Sequence, residues 1–485
     1  MMDLADAKRL CGQLEQAVGP QGVIGPERES ELAAYGSDYT EEEPRSVGLV
    51  VFPTTVEQVQ AVVRLARQEH ISLTPRVSGS NVGGLAIPPE GGVVVDLSRM
   101  NRILEVQQAD MYALIEPGVT WEQLKAHLAQ SEIPLRMGYP LSPPDTSIMA
   151  NCLLDGLGNL SMRYGSMADW IGGLEAVMPD GQLIRTGAAA LSDRWFGRGP
   201  LPDLTGMFVA FQGRTGIVTK MAFQLWPSPE HRRRLFVLMY DRNGAFRAMR
   251  DLARYQICDD VGGLSWTTGK MLFDVQRPLE RDPGEPEFFL YLDISGASQR
   301  ELELRVEILN DYLGRLQGDG FKLEKPLEID TLVRLNPRFG KFAEFPTRLE
   351  FLVDHPGGGL SWVGTYGPMS RFEAFGDAGF AIMQRHGMPP TLVSRPMKGA
   401  HFGVMRFIAT FDKSDPAERQ VVRQMSAEIV DAGLELGFIP YKTPPWVVRR
   451  IRDRIDPGYV DLMRRVLGVV DPERVLSPHC WPLDE

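Results

Sequence analysis

Cysteine is scarce in this sequence. The four present, Cys11, Cys152, Cys258 and Cys480, lie far apart and form no Cys-x-x-Cys pair. That spacing excludes an obvious cysteine-ligated zinc or iron–sulfur centre and offers no disulfide framework, so reduced, buried thiols are the plain reading. The seven histidines form no His-x-His or His-Glu-x-x-His pair, and no metal site is expected. No run of about 18 apolar residues occurs, so no helix is expected to span a membrane. The first residues, Met1 to Lys8, lack the basic-then-apolar pattern of an export signal, and a cytoplasmic location is the expectation. Positive charge is also in short supply. The balance of 52 Lys and Arg against 63 Asp and Glu gives a net charge of −11, which argues against a nucleic-acid or anionic-lipid partner.

What is present is an ordinary globular composition: 485 residues, 43% hydrophobic and 24% charged. That length exceeds what one hydrophobic core usually serves, so two or more domains are expected. The apolar, β-branched run from Val47 to Phe52, closed by Pro53, reads as a buried strand. Val56, Val59, Val62, Val63 and Ala66 then recur at helical spacing after Thr54-Thr55. Ile71–Pro75 and Val93–Leu97 read as further strands. Ile103–Val106 and Tyr112–Glu116 read as an antiparallel pair. Thr120 caps a helix over Trp121–Ala129, with Gln123 at the capping-box position. This order makes an α+β pattern rather than a doubly wound sheet. The proline-rich break at Trp226–Pro229 marks the first domain boundary. Beyond it, a strand is expected over Phe288–Asp293, helices over Gln299–Leu316 and Ala417–Gly433, and a surface loop over Gln276–Glu287.

Two segments carry chemistry. Between the second and third strands stands Pro75-Arg76-Val77-Ser78-Gly79-Ser80-Asn81-Val82-Gly83-Gly84. Glycines allow positive φ and close backbone approach, and successive N–H groups with Ser78, Ser80 and Asn81 form an anion nest that suits a pyrophosphate. A mere glycine–serine turn is the plainer alternative. The loop does not open a helix, so it is not a Rossmann fingerprint. The second segment runs from Ser147-Ile148-Met149-Ala150-Asn151 through Tyr164-Gly165-Ser166 to a hairpin over Leu174–Thr186, turning at Pro179-Asp180-Gly181. The part before the hairpin reads as a long irregular loop rich in small residues, which is costly unless it wraps a ligand.

Here the sequence resembles the vanillyl-alcohol oxidase and p-cresol methylhydroxylase family. The matching stretches are Glu116-Pro117-Gly118-Val119-Thr120, the Gly79–Gly84 loop, Tyr164-Gly165, Gly206-Met207-Phe208, Thr215–Lys220 and Val470–Pro478. Their order and spacing, more than any one motif, carry the resemblance. It implies an α+β, two-part FAD-binding domain with an inserted α+β cap over the flavin. Residues 1–229 and 438–485 would form the FAD-binding domain and residues 230–437 the cap. FAD would sit against Arg76, Ser78, Gly79, Ser80, Asn81, Val82, Gly83, Pro117, Ser147, Asn151, Tyr164, Gly165, Ser166, Ile217 and Val218.

The resemblance also implies hydride transfer from a para-alkylphenol, bound as phenolate between two tyrosines and an arginine. Charge stabilisation of the bound anion is the physical reason for those residues. Tyr441 matches one tyrosine and Lys442 stands at the arginine; the other tyrosine falls at Val82 and the family's carboxylate near Leu141 or Ser142. A turn before a proline pair is the alternative for Tyr441 and Lys442. The family's flavin-linking histidine falls at Val404, and His401 matches only with a local insertion, so non-covalent FAD is expected. His401 is then a pocket residue or a structural histidine. Trp362, Tyr366 and Arg406 are further pocket candidates, against a bland reading as core or interface packing. The implied partners are a small-molecule substrate, an electron-acceptor protein and a second copy of the chain. The alternatives are a D-2-hydroxy-acid dehydrogenase, or a non-catalytic flavin-fold subunit of an electron-transfer assembly.

Overall fold

The computed structural model describes residues 4–80, 82–343 and 346–483. Its first sheet has four strands in the order Val23–Ile24, Val47–Val51, Gly92–Asp96, Leu73–Arg76. The last three run parallel and the first antiparallel. Parallel strands are covered on both faces, which is why Leu49, Val50, Val51, Val93, Val94 and Val95 form unbroken apolar runs, each fully buried. The helix Val56–Gln68 starts where Thr55 accepts the N–H of Gln58 at 3.3 Å, and it buries Val59, Val62, Val63 and Ala66.

The second sheet has five antiparallel strands, in the order Ile103–Gln107, Tyr112–Ile115, Ile217–Gln224, Ile171–Val177, Leu183–Arg185. The expected strand pair and hairpin are both in it. Thr120 caps the helix Trp121–Leu128 by accepting from Gln123 N at 3.2 Å, but the Gln123 side chain donates to Asn101 O at 2.8 Å and closes no capping box.

The third sheet has eight strands, all paired antiparallel, in the order Leu327–Glu328, His231–Met239, Phe288–Gly296, Asp260–Ser265, Leu392–Met397, Phe402–Asp412, Gly358–Gly367, Ile439–Pro440. Strand alternation sorts its side chains onto two faces. Leu235, Val237, Met405 and Phe407 pack with Phe246, Leu309, Phe375 and Ile429 from four helices. Phe236, Leu264, Leu360, Val393 and Ile408 face the other way, toward Val82, Tyr139 and Leu141 of the first half. A sheet with helices on one face thus lays its bare face over the N-terminal half.

The expected irregular segment before the hairpin is partly helical. Ser147 accepts from Ala150 N at 3.1 Å and starts the helix Ile148–Leu153, which buries Ile148, Met149 and Cys152. A serine cap and three apolar residues on one side were enough to override the small-residue signal. The helix Leu4–Val18 was not anticipated at all. The tail after Asp471 returns to the first sheet, where Leu73 N donates to Val475 O at 2.7 Å and Ser477 N to Leu73 O at 2.8 Å. Among the described residues no helix is long and apolar enough to cross a membrane.

Candidate active site

The strand Leu73–Arg76 delivers the glycine loop to the seam between the two halves. Gly79 and Gly84 each adopt φ of 68°, a left-handed conformation that disfavours any side chain. Asp38 anchors the loop from below, accepting Gly84 N at 2.8 Å. Across from the loop, Ser147 N donates to Ser78 Oγ at 3.3 Å, and Ser147 Oγ donates to Pro117 O at 2.6 Å. The two segments picked out from sequence are therefore hydrogen-bonded walls of one space.

That space is a cavity of about 280 Å³ running from the glycine loop to the cap. Its walls include Arg76, Ser78, Gly79, Ser80, Val82, Gly83, Pro117, Ser147, Asn151, Ile217 and Val218 from one side. From the other come Trp362, Arg406, Tyr441 and Lys442. Asn81 lies outside the described residues.

On the cap side, sheet register fixes the arrangement. Gly364 pairs with Arg406 and Trp362 with Ile408, so Trp362, Gly364, Tyr366 and Arg406 project from one face. Gly364 leaves room for Tyr441: a Cβ there would come within 2.6 Å of Tyr441 Cε1. The Tyr441 ring stacks on Tyr366 with centroids 4.5 Å apart and planes 6° from parallel. Tyr366 holds that position by donating its hydroxyl to Asp155 O at 2.7 Å. Trp362 closes the other side, 6.0 Å from Tyr441, with the Arg406 guanidinium 5.5 Å and the Lys442 ammonium 5.6 Å from its ring. Lys442, at φ of 50°, also donates to Asn151 Oδ1 at 3.2 Å.

Burial dominates the electrostatics of this cluster. It pushes the Tyr441 phenol up to about 12, opposed by the Arg406 charge beside it. It pushes the Lys442 ammonium down to about 8, helped by the same Arg406 charge. At neutral pH Tyr441 is a hydroxyl donor and Lys442 still carries its charge.

The residues present fit a large polar-edged cofactor and a substrate. The cavity is mainly apolar, yet Ser142 Oγ, Gln212 Oε1, Thr268 Oγ1 and Arg406 Nε and Nη2 are buried on its wall without a hydrogen-bond partner among the described residues. Buried polar atoms left unpaired are costly, so these mark places where a ligand completes the bonding.

Five sequence candidates stand off the cavity wall, and Tyr366 is the first, placed behind the Tyr441 ring. Tyr164 is exposed and stacks on Trp226 at 5.0 Å, while Gly165 turns the chain at φ of 81°. Ser166 is buried and bonds the Asp155 carboxyl, one step behind Tyr366. His401 is exposed on the turn before the strand Phe402–Asp412, beside Arg163, Arg254 and Lys398. It precedes the pairing register that turns even-numbered residues toward the cavity, and Val404 takes the inward place. Sequence reading missed Tyr39, Gln212, Thr268 and the apolar Leu349, Phe351, Leu352 and Val353 on the wall. None carries a motif, and Tyr39 and Thr268 arrive from segments far apart in the chain.

A family profile described as an FAD binding domain matches residues 47–187. The flavoprotein subunit of 4-cresol dehydrogenase [hydroxylating] from Pseudomonas putida is 25% identical over 464 residues, covering 88% of this chain and 86% of that one. Two solved structures share the fold at 21% identity, each covering 98% of this chain and 96% of its own. They are p-cresol methylhydroxylase with substrate bound, at a TM-score of 0.86, and 4-ethylphenol oxidase from Gulosibacter chungangensis in its isoeugenol complex, at 0.85. The chain thus carries an FAD-binding domain and is similar along most of its length to the vanillyl-alcohol oxidase and p-cresol methylhydroxylase family. It is an FAD-dependent oxidoreductase. Its cap–cavity contact sets two cations, the buried Arg406 and the half-buried Lys442, around one tryptophan.

Proposed function

We propose that this flavoprotein oxidises or hydroxylates a benzylic or similarly activated C–H or C–OH of a small aromatic substrate, held at Trp362, Tyr441, Lys442 and Arg406. The observation that carries this reading is that cluster itself: two cations and a phenol donor placed among aromatic rings, at the cap end of an otherwise apolar cavity. Aromatic walls take the ring, and buried positive charge stabilises an anion that water would otherwise hold. The relatives' printed names point the same way, since 4-cresol and 4-ethylphenol are para-alkylphenols. Residues 1–229 and 438–485 would hold FAD, through Arg76 to Gly83, Ser147, Asn151, Ile217 and Val218. Residues 230–437 would form the cap, with the edge strand Ile439–Pro440 completing its sheet. Bound FAD supplies the two-electron acceptor; the chain's own part is to position the substrate, exclude water and stabilise its charge.

The FAD is non-covalent in this reading, because valine stands at position 404, where the resemblance puts the linking histidine, and His401 is exposed on a turn. An absorbance spectrum before and after acid precipitation tests that: flavin should move to the supernatant, and colour in the pellet would refute it. Anaerobic bleaching of the flavin tests the substrate class. The panel is para-substituted phenols and benzyl alcohols, with and without a side-chain carboxylate, against D-lactate and D-2-hydroxyglutarate. Bleaching by an aromatic compound supports the proposal. Bleaching by the hydroxy acids alone would favour the dehydrogenase alternative, and bleaching by nothing would favour a non-catalytic subunit. The Pseudomonas relative is called a flavoprotein subunit, so an acceptor protein joins the proposal, together with a cytoplasmic, homo-oligomeric state. Reoxidation rates with oxygen and with cytochrome c, and sedimentation of the purified protein, check these.

A further inference from the structure

The cavity is lopsided in charge. Its wall carries three basic side chains, Arg76, Arg406 and Lys442, and no carboxylate among the described residues. Arg76 belongs to the glycine-loop end, where it stacks over Tyr35 at 4.5 Å. Lys442 is tied to the flavin-side wall through Asn151. Arg406 is different. It is 4% exposed, it springs from the middle of a cap strand, and two of its guanidinium nitrogens, Nε and Nη2, have no hydrogen-bond partner among the described residues. Its immediate neighbours across the sheet are Gly364 and Val393, which offer no side-chain acceptor. Trp362 contacts it only through its ring, and Tyr441 through a phenol that stays protonated at neutral pH.

Tyr441 bonds this guanidinium through its phenol, but a buried guanidinium with two nitrogens unsatisfied and no anionic partner is expensive, and a second cation nearby makes it more so. A single phenolate held at Tyr441 and Lys442 would leave Arg406 Nε and Nη2 without an acceptor. The guanidinium fork matches a planar, bidentate anion, which a carboxylate is and a phenolate is not. Resting on the aromatic-substrate reading above, we infer that the substrate carries a carboxylate that pairs with Arg406, so that this residue sets specificity for aryl carboxylic acids over simple alkylphenols.

The test compares near-isosteric probes on the intact, FAD-loaded protein. Dissociation constants are read from the perturbation of the flavin spectrum by 4-hydroxyphenylacetate and by 4-hydroxyphenylacetamide. The carboxylate should bind about ten- to a hundredfold more tightly than the amide, the range expected for a charge-assisted pair in a buried site. In Arg406→Met that preference should vanish. Should Arg406→Met fail to retain FAD, Arg406→Lys serves instead: it keeps a charge without the fork, and should weaken carboxylate binding several-fold while leaving the amide alone. Equal affinity for acid and amide in the parent protein overturns the inference, as does a preference that survives Arg406→Met or is untouched in Arg406→Lys. Titration with D-lactate and D-lactamide separates the two readings. If the aromatic pair leaves the spectrum unchanged but the D-lactate preference is present and depends on Arg406, the aromatic reading fails while the carboxylate assignment stands.

Discussion

Tyr441 and Lys442 are adjacent in sequence and share one environment, yet burial moves their proton affinities in opposite directions. The charged form of tyrosine is the anion and that of lysine the cation, and a low-dielectric cavity disfavours both. Lys442, brought down to about 8 by burial and by Arg406, therefore loses its charge within the working pH range. Affinity for an anionic ligand such as 4-hydroxyphenylacetate should fall as pH rises through about 8 in the parent protein. Lys442→Met should lack that limb, and Lys442→Arg should push it beyond pH 10, because arginine stays protonated there. Spectral titrations from pH 6.5 to pH 9.5 decide this; an unchanged limb in Lys442→Met would assign the titration elsewhere. Gly364 offers a second handle on the same cluster. A Cβ would sit 2.6 Å from Tyr441 Cε1, so Gly364→Ala should displace the ring from its stack on Tyr366. The expected result is a loss of kcat/KM of about tenfold or more with FAD content unchanged. Loss of FAD together with activity would show that the cap as a whole had shifted.

Between residue and molecule stands the segment from Asp38 to Glu41, which carries no motif. Asp38 is buried and accepts from Gly84 N, Thr40 N and Thr40 Oγ1, and Lys413 of the cap donates to its backbone oxygen. Leu360 N donates to Tyr39 O at 2.8 Å, and Arg423 Nη2 to Glu41 O at 2.7 Å. The segment thus joins the glycine loop to two cap elements. Asp38→Ala strips three hydrogen bonds from one buried site, costing about 2–3 kcal/mol. The melting temperature should fall and FAD should dissociate faster in a fluorescence-release assay. A lower melting temperature with unchanged FAD release would mean that the segment supports the cap and not the loop. The same segment shows where legibility in the sequence ends. Periodicity and caps expose the strand Val47–Val51, the helix Val56–Gln68 and the hairpin around Asp180, because those signals are local. The glycine loop and the Ser147 segment were legible for a similar reason, as small residues where backbone must approach a ligand. Tyr39, Thr268 and the apolar Leu349, Phe351, Leu352 and Val353 reach the cavity only through long-range packing, which leaves no spacing to read. His401 misled because it lies close to the cavity-facing strand in sequence but on the turn outside its paired register.

At the scale of the whole molecule, the segment after Asp471 packs against the first sheet. The cap is inserted between the first sheet and a tail that returns to it. Asp471 accepts from Val475 N and Leu476 N, both at 2.9 Å, and shapes the turn that lays Val475 and Leu476 against Leu73. Both side chains are buried in the core that also holds Val95 and Ile217. Further along, Arg214 donates to Cys480 O at 3.2 Å and Trp481 O at 3.1 Å, and Trp481 Nε1 donates to Ala210 O at 2.8 Å. These bonds brace the segment that leads into Gln212, Ile217 and Val218, three cavity residues. The tail therefore braces the cavity wall without lining it among the described residues. Leu476→Ala should cost about 3 kcal/mol through the lost burial and the void it leaves. It should lower FAD affinity along with the melting temperature, since Leu73 leads directly into the glycine loop. Arg214→Met separates the two effects. It keeps the core intact but cuts the tie to the last turn, so it should raise the dissociation constant for FAD several-fold with a smaller change in melting temperature. If Arg214→Met leaves FAD affinity at the parent value, the tail serves stability alone, and the cavity's far wall is held by the sheet without it.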